Sequence, residues 1–188
     1  MELWEMARAG DDDAFRALAD DLWPVVYRVA YRYLGDAGEA EDVAQEALTQ
    51  AWARLHTFRG QSRFSTWVLA IALNLARSAA RKPRLRLAAE LETPRETGPS
   101  AEDAFFAREE AARLEQALMA LPPLWRAAIE CVAVQGLSYS EAAKVLSVPV
   151  STLRNWIHRA RIRLREAWGD SRPAARPPVL PEIREVEA

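Results

Sequence analysis

The sequence predicts an all-α protein in which a flexible linker joins two small helical bundles. Half of the 188 residues are hydrophobic and only 7 are glycine, a composition that favours helices over a sheet with its many turns. Apolar residues recur at helical spacing along most of the chain, and we find no alternating strand pattern of useful length. The periodicity fails in one stretch rich in Pro, Thr, Glu and Arg. We therefore expect a first bundle over residues 1–82, a linker over 83–112, a second bundle over 113–168 and a disordered tail over 169–188.

The first bundle is expected to contain three amphipathic helices. One runs from Ala14 to Leu34 and is expected to bend or split at Pro24. Another runs from Ala40 to Leu55, with small and apolar residues on its inward side. After a polar loop, Ser65 can cap a third helix that continues to about Arg81. The inward residues of this third helix are Trp67, Ile71 and Leu75.

The second bundle ends in a helix-turn-helix, a motif that places one helix in the major groove of DNA. Ser138 and Glu141 have the spacing of a capping box, so the first helix of the motif starts directly after Ser138. Pro149 ends that helix and suits the opening turn of the next. The second helix can bury Leu153 and Ile157 on one side, which leaves an arginine-rich surface on the other.

The arginine-rich side of this second helix carries the residue types that DNA recognition needs. Donors and acceptors on its first turns can contact base edges, and cations nearby can neutralise phosphates. Helices of this composition are also commonly solvated surface, but turn spacing, capping and one-sided charge together favour DNA. We assign Arg154, Asn155 and His158 to base edges and Arg159, Arg161 and Arg163 to phosphates, with Ser151 and Thr152 as further candidate contacts.

The formal net charge of −2 conceals a very uneven distribution of charge. Basic residues concentrate within 77–86 and 154–165, whereas acidic residues gather within 11–13, 39–46 and 90–115. Local fields matter more for binding than the total charge. Contact with DNA is therefore compatible with a slightly acidic chain.

The sequence also predicts where the protein works. The single Cys131 lies in an apolar stretch and suits a core position, so no disulfide framework is expected and a reducing compartment is implied. The N-terminus does not have the pattern of a signal peptide, and the longest apolar run is too short to cross a bilayer. We expect a cytoplasmic protein without direct membrane insertion.

We find no set of residues in the sequence that is typical of catalysis or of metal binding. His56 and His158 are far apart and have no cysteine at ligand spacing. No Ser-His-Asp set, glycine-rich phosphate loop or spaced carboxylate pair is recognisable either. We expect no enzymatic activity, no cofactor, no metal and no small-molecule substrate.

The order of three motifs resembles the extracytoplasmic-function group of bacterial sigma factors. The motifs are AEDVAQEA at 40–47 followed by Ala51-Trp52; FRGQSRFSTW at 58–67 with Ile71-Ala72 and Asn74; and ALPP at 120–123 with GLSY at 136–139 and HRAR at 158–161. The resemblance implies an all-helical protein whose first domain reads and melts the −10 element of a promoter and whose second reads the −35 element. It implies core RNA polymerase and promoter DNA as partners, and an anti-sigma factor as a regulator. The family often has a basic residue where this chain has Trp156.

The helix over residues 40–55 has an acidic and polar side that, by itself, is typical of solvated surface. By resemblance this side binds a basic coiled coil of the largest polymerase subunit, a contact that complementary charge can steer. Its candidate contacts are Glu41, Asp42, Gln45, Glu46 and Gln50. Trp52, in the same motif, is expected in the core.

The next helix carries the candidate contacts of a displaced DNA strand. Asn74, Arg77 and Arg81 are spaced to share one stripe, which suits base hydrogen bonds and phosphate neutralisation. The resemblance adds Arg59, Arg63, Phe64 and Trp67. Of these, Phe64 and Trp67 are by themselves more typical of a core than of a stacking platform.

Two other classes of protein remain open at this point. One is a transcription regulator that binds an operator without polymerase, although no dimerising helix or effector pocket is evident. The other is an interaction adaptor in which the helix-turn-helix serves only for packing. Transcription that depends on core polymerase separates the sigma factor from both.

Overall fold

The computed structural model describes residues 2–81 and 101–169, and within them every regular element is a helix. The all-α class is therefore confirmed. Most of the predicted linker, 83–100, and nearly all of the predicted tail, 170–188, lie outside the described residues. No helix of the described segments combines the length and the apolar character that a bilayer crossing needs.

The described residues form eight α-helices, four on each side of the undescribed residues 82–100. In chain order the elements are α1 (Leu3–Arg8), α2 (Asp12–Leu34), α3 (Ala37–Ala53), a 3-10 turn (Leu55–Thr57), α4 (Phe64–Ala80), α5 (Ala101–Met119), α6 (Pro123–Ile129) with a π-helical continuation (Glu130–Val134), α7 (Tyr139–Val145) and α8 (Val150–Gly169). The short α1 was not predicted from the sequence. The first bundle contains α1 to α4, and the second contains α5 to α8.

Local sequence signals explain where α2 and α3 begin and end. The carboxylate of Asp11 accepts from the amide of Ala14 at 3.0 Å, and that of Asp36 accepts from the amide of Glu39 at 2.9 Å. Between the two helices Gly35 has φ 76°, a left-handed conformation that glycine adopts without strain. Gly35 and the Asp36 cap therefore fix the tight turn between α2 and α3.

The expected split at Pro24 is wrong, because α2 continues through the proline as one helix. A proline removes the hydrogen bond to the carbonyl four residues earlier, here that of Asp20. Both residues are exposed, so water can satisfy this carbonyl. The loss is therefore tolerated on the solvent side of the helix.

The expected cap at Ser65 is also wrong, because α4 begins at Phe64 and its N-cap residue is Arg63. Phe64 is 9% exposed, and its ring lies 5.4 Å from Phe58 and 5.6 Å from Trp67. Burial in this aromatic cluster places Phe64 in the first turn of α4. Packing, and not a side-chain cap, sets the start of this helix.

The helix-turn-helix forms as the sequence predicts. Ser138 and Glu141 make the capping box, and α7 starts at the residue after Ser138. At the other end the amides of Ser147 and Val148 donate to the carbonyls three and five residues earlier, at 3.1 and 3.0 Å, while Ser147 has φ 51°. This is a Schellman turn, and it directs the chain into α8. Leu153 and Ile157 are buried there, as expected.

The two bundles pack directly against each other. α2 contacts α6, and α4 contacts α7, so that one core cluster includes Val29 and Leu73 of the first bundle and Cys131 and Leu146 of the second. Cys131 is fully buried, as predicted. At this junction a side chain on Gly35 would come within 2.9 Å of Met119 Cε, so glycine serves both the turn and the close approach.

Candidate nucleic-acid and polymerase interfaces

The acidic and polar side of α3 faces solvent. Its opposite side is buried through the small and apolar residues Ala40, Val43, Ala44, Ala47, Leu48 and Ala51. Of the predicted polymerase contacts, Glu41, Asp42, Gln45 and Glu46 are exposed, and Gln50 is half-buried. Gln50 Nε2 donates to Glu46 Oε1 at 2.7 Å, one turn away. The helix therefore presents these side chains outward in one continuous surface.

The expected core position of Trp52 is wrong, because its side chain is 41% exposed. Successive residues of a helix are about 100° apart, so Trp52 lies beside the buried Ala51 line and not on it. Its ring lies 4.6 Å from that of Phe15, which covers one side of it. Trp52 comes about three turns after Glu41 and therefore borders the same solvent-facing surface.

Most of the predicted DNA contacts of α8 lie on its solvent side. Exposed are Ser151, Arg154, Asn155, His158, Arg159 and Arg163, whereas Thr152 and Arg161 are half-buried. The guanidinium of Arg154 lies 5.8 Å from the ring centre of Tyr139, and that of Arg163 lies 5.7 Å from the ring centre of Trp125. Cation–π contacts of this kind orient the two arginines without burying their charge. Trp156 is half-buried.

The predicted strand contacts of the first bundle are divided between the surface and the packed interior. The exposed residues are Arg59, Arg63, Asn74 and Arg81. Trp67 and Arg77 are half-buried, and Phe64 is buried. A base cannot stack on the face of Phe64 while Phe58 and Trp67 enclose it. Arg81 Nε donates to the carbonyl of Arg77 at 3.2 Å, which holds these two basic residues together at the end of α4.

Two of these arginines contact the helix-turn-helix. Arg63 Nε lies 3.5 Å from Glu141 Oε1, and Arg77 Nη2 donates to the carbonyl oxygen of Leu146. Glu141 lies in the first turn of α7, and Leu146 is its C-cap residue. The candidate strand-binding side of α4 and the first helix of the DNA-binding motif are therefore in direct contact.

Buried charges form a second link between the bundles. Glu130 is 2% exposed, and its oxygens lie 3.6 Å from Arg28 Nε and 3.5 Å from Arg32 Nε. Arg32 also donates to Glu115. Although burial works against it, the hydrogen bond to Glu115 and the charges of Glu115 and Glu130 raise the pKa of Arg32. This cluster holds α2 against α5 and the π-helical turn.

Arg126 of α6 forms a further contact between the two bundles. It is 7% exposed, and its Nη2 donates to the carbonyl of Tyr33 at 3.2 Å while Nη1 donates to that of Met119 at 3.1 Å. Burial and the nearby charge of Arg32 lower the pKa of Arg126. A guanidinium in this position ties the end of α2 to the second bundle.

Comparison with known proteins assigns the family. Residues 18–86 match the family described as Sigma-70 region 2, and residues 111–164 match that described as Sigma-70, region 4. The chain is 33% identical over 177 residues to the ECF RNA polymerase sigma factor SigW of Bacillus subtilis (strain 168), an alignment that covers 88% of this chain and 95% of SigW. This chain belongs to the extracytoplasmic-function sigma factors of the sigma-70 family. It is also 34% identical to the RNA polymerase sigma-H factor of Pseudomonas aeruginosa over 85% of this chain and 89% of that protein.

Two solved structures share the fold of this sigma factor. CnrH, in complex with the cytosolic domain of CnrY, superposes with a TM-score of 0.67 at 26% identity, over 90% of this chain and 97% of CnrH. The sigma factor RpoE of Bartonella quintana, in complex with the anti-sigma factor NepR, superposes with a TM-score of 0.68 at 23% identity, over 84% of this chain and 98% of RpoE. The all-helical arrangement is therefore shared with solved proteins.

Sequence reasoning missed the residues that join region 2 to region 4 in this sigma factor. Glu141 was identified as a helix-capping residue, but its second oxygen serves Arg63. Glu130 gave no signal beyond a single acid in an otherwise apolar segment. That pattern marks a buried charge, but it does not identify the partner that neutralises it.

Proposed function

We propose that this chain is an alternative sigma factor that binds core RNA polymerase through α3 and directs it to promoters through α4 and α8. Residues 1–82 are the polymerase-binding and −10 domain, and residues 113–168 are the −35 domain. The observation that carries the proposal is that α3 and α8 each bury an apolar side and expose a polar one of opposite charge. One exposed side is acidic, and the other is basic.

The acidic side of α3 is the polymerase dock, and we include Trp52 in it. Glu41, Asp42, Gln45 and Glu46 supply the negative and polar contacts that attract a basic partner helix. Large aromatic residues at interfaces frequently contribute more binding energy than their charged neighbours. Trp52 is partly supported by Phe15 and needs little reordering to bind, so it serves as an apolar anchor at one end of the acidic surface.

The two DNA contacts divide the promoter between them. The exposed Arg154, Asn155 and His158 of α8 read base edges of the −35 element, and neighbouring arginines bind phosphates. Asn74, with the basic residues of α4, binds the displaced strand of the −10 element. Each of the two contacts with DNA is weak by itself. Polymerase holds both domains at a fixed separation, so once one domain has bound the promoter, the other binds at a high effective concentration.

An anti-sigma factor is the proposed regulator. The solved RpoE, which has the same fold, is in complex with an anti-sigma factor. A partner that covers α3 would prevent polymerase from binding. The sigma factor works by binding and not by catalysis, and it acts in the cytoplasm, where core polymerase and promoter DNA are found.

Run-off transcription on genomic promoter fragments tests the proposal. A specific transcript is expected only when the protein and core polymerase are both present. Sequence-specific binding of DNA by the protein alone, without a polymerase-dependent transcript, would instead indicate an operator-binding regulator. If neither transcript nor specific binding appeared, the helix-turn-helix would serve only for packing, as in an adaptor.

A further inference from the structure

The short helix α1 is held in a defined position on the first bundle. Its six residues are too few for a stable helix by themselves, so α1 depends on contacts with the rest of the chain. Ala7 is 3% exposed and belongs to the core cluster that contains Phe58. Trp4 Nε1 donates to Glu2 Oε2 at 3.0 Å, which limits the rotation of the indole. The helix therefore presents Trp4 to its neighbours in one orientation.

Trp4 and Arg8 of this helix contact the loop over residues 58–63, which precedes α4. The ring of Trp4 meets that of Phe58 edge-on, with 4.9 Å between the ring centres. Arg8 Nη1 donates to the carbonyl oxygen of Phe58 at 3.3 Å, and the guanidinium of Arg8 lies 5.2 Å from the ring centre of Trp4. Gly60 has φ 69°, and a side chain there would come within 3.4 Å of the Trp4 ring. The loop is therefore in contact with α1 at Phe58 and again at Gly60.

These two contacts lie on either side of Arg59. The carbonyl of Phe58 and the amide of Arg59 belong to one planar peptide unit, so a hydrogen bond to that carbonyl also orients the backbone of Arg59. On the other side, the ring of Trp4 restricts the left-handed turn at Gly60. The side chain of Arg59 itself is exposed. Its backbone is thus ordered before any ligand binds, which removes part of the entropic cost of binding.

We infer that α1 is a positioning element for the contact between Arg59 and the displaced DNA strand. Trp4 and Arg8 fix the backbone on both sides of Arg59 and thereby direct its guanidinium to a phosphate of that strand. Neither Trp4 nor Arg8 touches the DNA. Arg59 is one of the predicted strand contacts of the first bundle, so the inference rests on the proposed function of this bundle at the −10 element.

Arg8→Ala tests the inference, because Arg8 is exposed and its truncation leaves the aromatic rings in place. The probe is a fluorescein-labelled promoter fragment from the run-off assay, in which the displaced strand of the −10 segment is left unpaired. Holoenzyme that carries Arg8→Ala should bind this probe about threefold to tenfold more weakly, the factor that corresponds to the net contribution of one hydrogen bond. Arg16→Ala is the matched control, since Arg16 is exposed and pairs with Asp13 of its own helix, and it should leave the affinity unchanged.

A double-mutant cycle with Arg59→Ala separates positioning from direct contact. Arg59→Ala alone should weaken binding and lower the salt slope by about 0.7, the value for one phosphate contact on a single strand. If Arg8 acts through Arg59, Arg8→Ala should have no further effect in the Arg59→Ala background. If Arg8 bound a phosphate itself or only stabilised the fold, the two losses would add, and the inference would be overturned. Trp4→Phe removes the ring atoms nearest to Gly60 without a change of charge, and its effect should depend on Arg59 in the same way.

The single variants distinguish failure of the inference from failure of the proposed strand contact. If Arg59→Ala bound the unpaired strand as tightly as the parent, Arg59 would not be a strand contact, and both its predicted role and the inference would be overturned. If Arg59→Ala bound weakly while Arg8→Ala and Trp4→Phe bound normally, only the inference would be wrong. In that case α1 would complete the aromatic core and have no part in strand binding.

Discussion

Replacing Gln45 and Glu46 of α3 with Ala should separate binding of polymerase from folding. Both side chains are exposed. The change removes one hydrogen bond between side chains a turn apart, from Gln50 to Glu46, which is worth about 0.2–0.5 kcal/mol. Ala gains a few tenths of a kcal/mol through its higher helix propensity. The two effects nearly cancel, so the melting temperature should move by less than about 2 °C.

The effect on polymerase should be much larger. Truncation of a side chain that contributes to an interface commonly costs about 1–2 kcal/mol. Two such side chains together cost about 2–4 kcal/mol, and every 1.4 kcal/mol is tenfold in affinity, so the double variant should bind core polymerase roughly thirtyfold to several-hundredfold more weakly. Competition binding with a labelled protein measures the affinity, and circular dichroism measures the melting temperature.

The pair Glu109→Ala and Gln116→Ala provides the control. It removes one Glu and one Gln from exposed positions of α5, and both measured values should remain near those of the parent. A double variant of α3 that lost several degrees of melting temperature while keeping full affinity for polymerase would contradict the reasoning. In that case the polar side of α3 would belong to the fold and not to the dock.

Three further predictions address charges elsewhere. Glu130→Gln should lower the free energy of unfolding by about 1–3 kcal/mol, because two arginines of α2 lose a buried charged acceptor; unchanged urea denaturation would contradict this. Although burial opposes it, the hydrogen bonds from Ser138 and the charge of Arg63 hold the folded pKa of Glu141 below its ordinary 4.5, so its contribution to stability is present above that pH and is lost as the pH falls through the folded value. Acid titration of the melting temperature should therefore show a smaller loss in Glu141→Gln than in the parent, and equal losses would refute the assignment. Arg154→Ala should lose about 1–3 kcal/mol of preference at one promoter position, whereas Arg159→Ala should weaken all sequences and reduce the salt slope by about 0.9. Holoenzyme binding by Arg154→Ala that kept full sequence preference would exclude it as a base contact.

The helix-turn-helix was predictable because its signals are local. The capping box of Ser138 and Glu141 and the fixed backbone of Pro149 act within one turn of the residues that they organise. The buried pair Leu153 and Ile157 follows from helical spacing alone. Local chemistry of this kind is readable without knowledge of the rest of the fold.

The errors arose where tertiary packing decided between local alternatives. Ser65 is a good cap by residue type, but burial of Phe64 among aromatic rings started α4 earlier. Trp52 is apolar enough for a core, yet alanines fill the buried side of α3 and the indole remains at its edge. Pro24 could remain inside α2 because its side of the helix faces water.

The contact between the two regions was not predictable from sequence patterns. Arg77 meets Leu146, and Arg126 meets Tyr33, across separations of 69 and 93 residues. Each arginine alone is equally compatible with solvent, with DNA or with another part of the chain. The structure is needed to distinguish a DNA contact from an arginine that the protein itself already holds.

Permanganate footprinting of unpaired thymines tests the central claim most directly, because it detects promoter opening itself. We predict reactive thymines around the −10 element with the holoenzyme, none with the free protein or core polymerase alone, and a weakened footprint with holoenzyme that carries Asn74→Ala. Normal assembly of that variant with core polymerase serves as the control. A full bubble made by Asn74→Ala holoenzyme would contradict the assigned role of α4, and a bubble made by the free chain would contradict the polymerase-dependent mechanism.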